Sequence, residues 1–277
     1  AGNLSDLAAM GAKPGFYSLA LTIPNNDQAW VIDFAKGLAD ICAIYDIPLI
    51  GGDTTKGPLT ITVTAQGFVE HGKAVKRSGA KAGDLICVTN TIGDGALGLL
   101  VAFKKLPGLV KQEITQEQRL HLLNALNRPQ PQVAFGENLT YFASSAIDIS
   151  DGLLADLRHI LEASNKGFIP VEKQLSAQIK LETIPLSSGA QLFMDKTGDW
   201  QTILTGGDDY QLCFTMEPEQ FAQIKLIAAS LGVTLSAIGE VVLSDKRLEE
   251  KSSVGSIKLS LNGEVFDLKE SKGYLHF

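Results

Sequence analysis

The chain has little from which to build a thiolate or imidazole metal centre. Its 277 residues include three cysteines and four histidines. Cys42, Cys87 and Cys213 lie in apolar runs at unrelated spacings. They read as reduced core residues of a cytoplasmic protein, not as a disulfide or zinc set. The scattered histidines form no metal motif. No apolar run approaches the length of a membrane span, and no signal-peptide pattern is present. Positive charge is short as well. Lys and Arg number 24 against 31 Asp and Glu, a formal net charge of −7, which argues against a nucleic-acid partner. Hydrophobic residues make up 45% of the chain, enough for a real core in one large domain or two medium ones.

Acids and glycines, by contrast, recur in clusters. Leu49-Ile50-Gly51-Gly52-Asp53-Thr54-Thr55-Lys56-Gly57 begins apolar and then breaks into paired glycines, an acid and hydroxyls. Leu59 to Phe68 alternates like a strand, so Gly51, Gly52 and Asp53 are expected at a strand end beside a turn. Paired glycines let backbone N–H groups approach an anion, and Asp53 suits a hard cation. Taken alone, the stretch reads rather as a tight hairpin turn with a solvated acid. It is not a P-loop. A second cluster runs Ile147-Asp148-Ile149-Ser150-Asp151-Gly152, where alternation separates Asp148 from its isoleucine neighbours. Two carboxylates and a hydroxyl so close together suit a Mg²⁺–polyphosphate site. An Asp N-cap would account for Asp151 but not for Asp148. The third cluster is Thr205-Gly206-Gly207-Asp208-Asp209-Tyr210.

Other stretches place these clusters. A short first helix should present Leu4, Leu7, Ala8 and Met10 as its apolar face, leaving Asp6 toward a cleft or solvent, and stop at Gly11. Phe16 to Ile23 reads as a strand. Asp27 caps a helix of about 28–45, with Trp30, Ile32, Phe34, Leu38 and Ile41 mostly inward. Arg77-Ser78-Gly79-Ala80 is a connector, or carries an arginine that reaches a phosphate. Leu85–Val88 leads through the turn Ile92-Gly93-Asp94-Gly95 into a helix whose first N–H groups could bind an anion. Residues 166–196 have no clear pattern. Asn262-Gly263 signals a hairpin. The aromatic tail through Tyr274 docks on its own domain or stacks on a flat ligand ring.

Together these stretches resemble the thiamine-monophosphate kinase family, within the superfamily of aminoimidazole ribonucleotide synthetase and selenophosphate synthetase. The resemblance rests on residues 3–12, Gly51–Gly57, Arg77–Ala80, Ile147–Leu153, Gly206–Tyr210 and Lys272–Tyr274. It implies an α/β fold of two domains, an N-terminal mixed sheet with helices (1–72) and a larger C-terminal α/β domain (73–277), and a homodimer using the first. It implies Asp6, Asp53, Asp148 and Asp151 as ligands of several Mg²⁺ ions. Gly52, Asp53, Arg77 and Ser150 become ATP contacts, and Asp208 and Tyr274 contacts to thiamine monophosphate. The implied reaction moves the γ-phosphoryl group of ATP onto thiamine monophosphate without a general base. Asp208 departs from the family's usual Glu. The family's N-terminal Gly-Asp-Asp and Ser/Thr-Asp-Thr segments and a substrate histidine have no counterpart here, so the chain is expected to lack its natural start. A sister activity on a purine precursor or selenide, or a non-catalytic ATP- or thiamine-phosphate-binding protein, stays open from sequence.

Overall fold

The computed structural model describes residues 1–167, 173–244 and 256–268. Helix α1 (Gly2–Ala9) leads into β1 (Lys13–Ile23), α2 (Gln28–Tyr45), β2 (Leu49–Lys56) and β3 (Thr60–Phe68). Then follow β4 (Leu85–Thr89), α3 (Asp94–Ala102), α4 (Gly108–Glu113), α5 (Gln116–Asn127), α6 (Val133–Gly136) and α7 (Leu139–Phe142). The chain continues through β5 (Ala143–Asp148), α8 (Leu153–Ser164), β6 (Leu175–Lys180), α9 (Ser188–Thr197) and α10 (Trp200–Thr205). It ends with β7 (Leu212–Met216), α11 (Phe221–Ser230), β8 (Leu235–Leu243), β9 (Ile257–Leu261) and β10 (Glu264–Phe266).

Two sheets result. The smaller has the order β2-β1-β3, and the larger β10-β9-β6-β8-β4-β7-β5. Strands β1 and β2 are parallel, joined by α2 in a βαβ crossover, while β3 runs antiparallel to β1. The larger sheet is antiparallel except for the β6–β9 pair. The α/β architecture with mixed sheets expected from sequence is therefore present.

The middle of the larger sheet is buried on both faces, which β4 and β7 anticipate by being apolar almost throughout. Ile86, Val88, Ile147 and Cys213 enter one core, shared with Leu97, Leu157 and Phe193 of the helices. Their strand neighbours Cys87, Ala146, Leu212 and Phe214 enter a second core with Leu4 and Ala8 of α1 and Tyr17 and Ile47 of the smaller sheet's unit. The period of two along β5 therefore puts Asp148, two residues after Ala146, on the α1 side.

Several expectations are corrected. The chain does not turn at Gly51-Gly52-Asp53. Strand β2 runs straight through it, pairing Gly52 with Leu19 and Asp53 with Ala20 of β1. Gly52 has φ +150°, and a Cβ there would stand 1.8 Å from the Leu19 carbonyl oxygen. The glycine thus serves close strand pairing. Helix α2 is capped by Asp27, whose Oδ1 accepts from the Trp30 N–H at 3.1 Å. Of the residues expected inward, Trp30, Phe34, Leu38 and Ile41 are half-buried, none of α2 is fully buried, and Ile32 is 66% exposed. Met10 is also exposed, so the apolar face of α1 is Leu4, Leu7, Ala8 and Ala9. The unpatterned region contains β6 and α9, the latter capped by Ser187. Asn262-Gly263 forms the expected hairpin between β9 and β10.

Candidate functional site

Three segments meet where β5 ends. Helix α1 packs on β5 and carries Asp6. The extended segment at 75–77 is tied on both sides: the Val75 N–H donates to Met10 O at 3.1 Å, and Ala146 N–H donates to Lys76 O at 3.0 Å. Arg77 is thereby set beside Asp148. A cavity of about 230 Å³ is lined by Asp6, Met10, Val75, Arg77, Ile147 and Asp148.

The electrostatics follow from this crowding. Burial raises the Asp148 carboxyl above the ordinary carboxylate range, and the charge of Asp6 pushes the same way. The Ser5 hydroxyl, the backbone N–H of Asp148 and Arg77 pull it down. Asp6 is raised by partial burial and lowered by Arg77. Two carboxylates that repel one another beside a guanidinium favour a bound cation or a phosphate, according to which partner arrives.

Ser150 and Asp151 follow β5 in a loop held from behind. The Asp156 Oδ2 accepts the backbone N–H groups of both Ser150 and Asp151 at 3.0 Å. Asp156 is 2% exposed. Burial pushes its carboxyl up to about 7, opposed by those two N–H bonds and reinforced by the charges of Asp151 and Asp148. Gly152, not Asp151, occupies the N-cap position of α8, and it provides no side-chain cap. The simple reading of Asp151 as an N-cap therefore does not hold.

The third cluster closes onto the second. Asp208 N–H donates to Ser150 O at 3.0 Å, Tyr210 N–H to Ile149 O at 2.8 Å, and Ile149 N–H to Gln211 O at 2.7 Å. The Tyr210 hydroxyl donates to Asp208 Oδ1 at 3.4 Å. Burial raises the Tyr210 phenol, and the charges of Asp208, Asp148 and Asp151 add to the shift, so these three acids share one neighbourhood.

The glycine turn at 93–95 does not present free N–H groups to an outside anion. Asp209 fills that place: its Oδ2 accepts from Gly93 N–H at 2.7 Å and its Oδ1 from Gly95 N–H at 2.9 Å. Burial pushes the Asp209 carboxyl up to about 7, against these two bonds.

The structure thus gathers Asp6, Arg77 and Asp148 at one cavity, with Ser150, Asp151 and Asp208 in the adjoining loops. Asp53 and Gly52 lie on β2, in the other sheet, where Asp53 Oδ1 accepts from Thr54 N–H at 2.9 Å. Among the described residues no three acidic, His or Cys side chains converge as a metal site. Tyr274 lies outside the described residues. The sequence reading assigned no role to Asp156 or Asp209. The position of Asp156 in the first turn of α8 was a usable signal, but the partners of Asp209, 116 and 114 residues away, were not.

The sequence model of the AIR synthase related protein, N-terminal domain, matches residues 1–69. Thiamine-monophosphate kinase of Haemophilus influenzae is 42% identical over 275 residues, covering 99% of this chain and 77% of that protein. This chain belongs to the thiamine-monophosphate kinase family. The crystal structure of thiamine-monophosphate kinase from Stenotrophomonas maltophilia K279a superimposes with a TM-score of 0.79 at 36% identity, over 96% of this chain and 77% of that one. The structure of AaThiL complexed with AMPPCP and TMP gives a TM-score of 0.77 at 27% identity, over 100% of this chain and 78% of that one. A family of kinases acting on a phosphate ester needs a site that tolerates two polyanions. The Asp6–Arg77–Asp148 cavity places two carboxylates and a guanidinium together among the described residues.

Proposed function

We propose that the chain catalyses ATP-dependent phosphorylation of thiamine monophosphate to thiamine diphosphate. Family membership at 42% identity over 99% of the chain is the observation that carries the reading. The relative solved with AMPPCP and TMP supports the two substrates. The acceptor is a phosphate oxygen, already anionic near neutral pH, so no general base has to be supplied. The barrier lies in bringing two polyanions together in line.

Arg77 is assigned to the ATP phosphates, where its planar fork offsets charge. Ser150 is assigned to the nucleotide as well, through a loop whose backbone Asp156 fixes. Asp208 is assigned to the thiamine monophosphate, held near Asp148 and Asp151 by the backbone bonds to Ser150 and Ile149. Asp6 and Asp148 suit one hard divalent cation, because both carboxylates line the same cavity. Bound Mg²⁺ would supply positive charge that offsets the repulsion between the two phosphate substrates. Asp151, in the adjoining loop, is assigned to another of the several Mg²⁺ ions that the family resemblance implies. Asp53 and Gly52 belong to this proposal only if the smaller sheet, in this chain or a second copy, is brought to the cavity.

A homodimer through the smaller sheet and α2 is part of the proposal. It is supported by exposed Ile32, Ile44, Leu49, Ile50 and Phe68 on that unit. The division near residue 72 and the cytoplasmic setting are proposed with it. The deciding experiment supplies ATP, Mg²⁺ and thiamine monophosphate and measures products. ADP and thiamine diphosphate in equal amounts are expected, with free thiamine a poor acceptor. Binding of both substrates without turnover would leave a binding protein instead.

A further inference from the structure

The loop 206–211 has two sides. Asp208 and Tyr210 have φ of +69° and +49°, a left-handed conformation that residues with a Cβ seldom adopt. Their side chains bond to each other, and Tyr210 lies in the field of Asp148 and Asp151. Asp209, between them, points the other way and is 6% exposed. Its two carboxylate oxygens take the Gly93 and Gly95 N–H groups, one each. The fit is close: a Cβ on Gly95 would stand 2.5 Å from the Asp208 carbonyl oxygen. Backbone strain of this kind persists only where the surroundings over-determine it. Here the over-determination has two parts: the bonds from Asp208 and Tyr210 to β5's end, and the Asp209 clamp.

We propose that Asp209 is a positioning residue for the acceptor substrate, locking the loop 206–211 onto the glycine turn 93–95 so that Asp208 and Tyr210 are held facing the Asp148 side. The proposal rests on the assignment of Asp208 to thiamine monophosphate. A carboxylate is required because it accepts two N–H bonds at once with both oxygens, at the start of α3 where the helix dipole favours negative charge. Asparagine keeps the size but turns an NH₂ group toward one of the N–H donors. The loop then loses one of its two ties, while Arg77, on the segment tied to Met10 and Ala146, stays in place.

The test compares Asp209→Asn, Gly95→Ala and Asp208→Ala with the parent chain. For each, KM for thiamine monophosphate, KM for ATP, kcat and thermal midpoint are measured. Gly95→Ala presses on the same loop from the other side and leaves the carboxylate intact, so it decides the matter if Asp209→Asn does not fold. Asp209→Asn and Gly95→Ala are each expected to raise KM for thiamine monophosphate about tenfold, a scale set by small misplacements of a positioned group. KM for ATP should stay within about twofold. Lower thermal midpoints with unchanged KM for thiamine monophosphate, while Asp208→Ala raises it, would overturn the proposal and leave Asp209 a purely structural tie. If Asp208→Ala leaves that KM unchanged, the assignment of Asp208 is what fails, and the positioning role falls with it.

Discussion

Strand β7 exposes none of its five residues, and strand β2 exposes all eight. The first is an inner strand of the larger sheet, covered on both faces. The second is an edge strand of the smaller one, and α2, which crosses over between β1 and β2, buries no residue completely. The contrast is one of completion. In the larger unit the inner strands β4 and β7 are paired on both sides and almost wholly buried. In the smaller unit both edge strands, β2 and β3, lack an outer partner among the described residues and large apolar side chains stand in solvent, a surface of the kind that interfaces use. The candidate chemistry divides the same way. Asp148, Asp151 and Asp208 come from the completed unit, and Asp53 from the open one.

That comparison can be broken first by stability. Phe214, fully buried in β7, should cost about 3–5 kcal/mol when replaced by Ala. Ile50→Asp, at a position 61% exposed on β2, should change the stability of the single chain by only about 0.5 kcal/mol. In the proposed homodimer, the same change should shift the population toward monomer. Denaturant unfolding and light scattering on the two variants separate these effects. A large loss of single-chain stability in Ile50→Asp would mean that β2 is not an open surface.

Catalysis sharpens the contrast next. Asp148→Asn should reduce turnover by about a hundredfold or more, the scale of losing one preorganised electrostatic group. Its thermal midpoint should hold or rise, because burial already disfavours the charged carboxyl that the amide replaces. Asp53→Asn, made alongside, asks whether the open unit contributes to the same site. Near-parental activity of Asp148→Asn at limiting Mg²⁺ would remove it from the ligand set. A selective loss in Asp53→Asn would place β2 in the working site.

The two units also differed in how far sequence revealed them. Strand β4 was legible because its apolar run is continuous, and Asp148 stood out as an acid between isoleucines; the short strand expected through Ser150 instead ends at Asp148. The path of β2 was not legible. Its glycines and hydroxyls lack strand character, and the need for Gly52 arises only from the approach of Leu19, 33 residues earlier. The uncovered face of α2 was misread for a related reason: apolar periodicity reports which residues seek burial, not whether one chain supplies the cover. Helices α9 and α10 carried caps at Ser187 and Asp199, yet they are too short for a periodic pattern. At the site, carboxylates could be picked out by type, but the tie from Asp209 to the glycine turn depended on backbone groups far away in the chain.

The smallest expected effect lies wholly inside the larger unit. His121 Nε2 is 3.0 Å from Asp94 Oδ2; the imidazole side chain is 54% exposed and the carboxylate 7%. The hydrogen bond to Asp94 raises the His121 pKa, burial opposes it, and the charge of Asp94 raises it further. A raised histidine pKa means that the folded state holds the proton more tightly than the unfolded one. The pair's stabilisation is therefore complete below the unfolded pKa, about 6.5, and is lost as pH rises through the higher folded value. Solvent screening at a half-exposed imidazole limits the gain to below about 1 kcal/mol. His121→Ala should leave Asp94 satisfied, since the Thr91 and Ser187 hydroxyls also donate to it. The parent chain should thus melt above the variant by at most about 2–4 °C at low pH, with the gap closing toward pH 8.5. A gap that is constant, or that widens as pH rises, would mean that the neutral imidazole is the form that packs here.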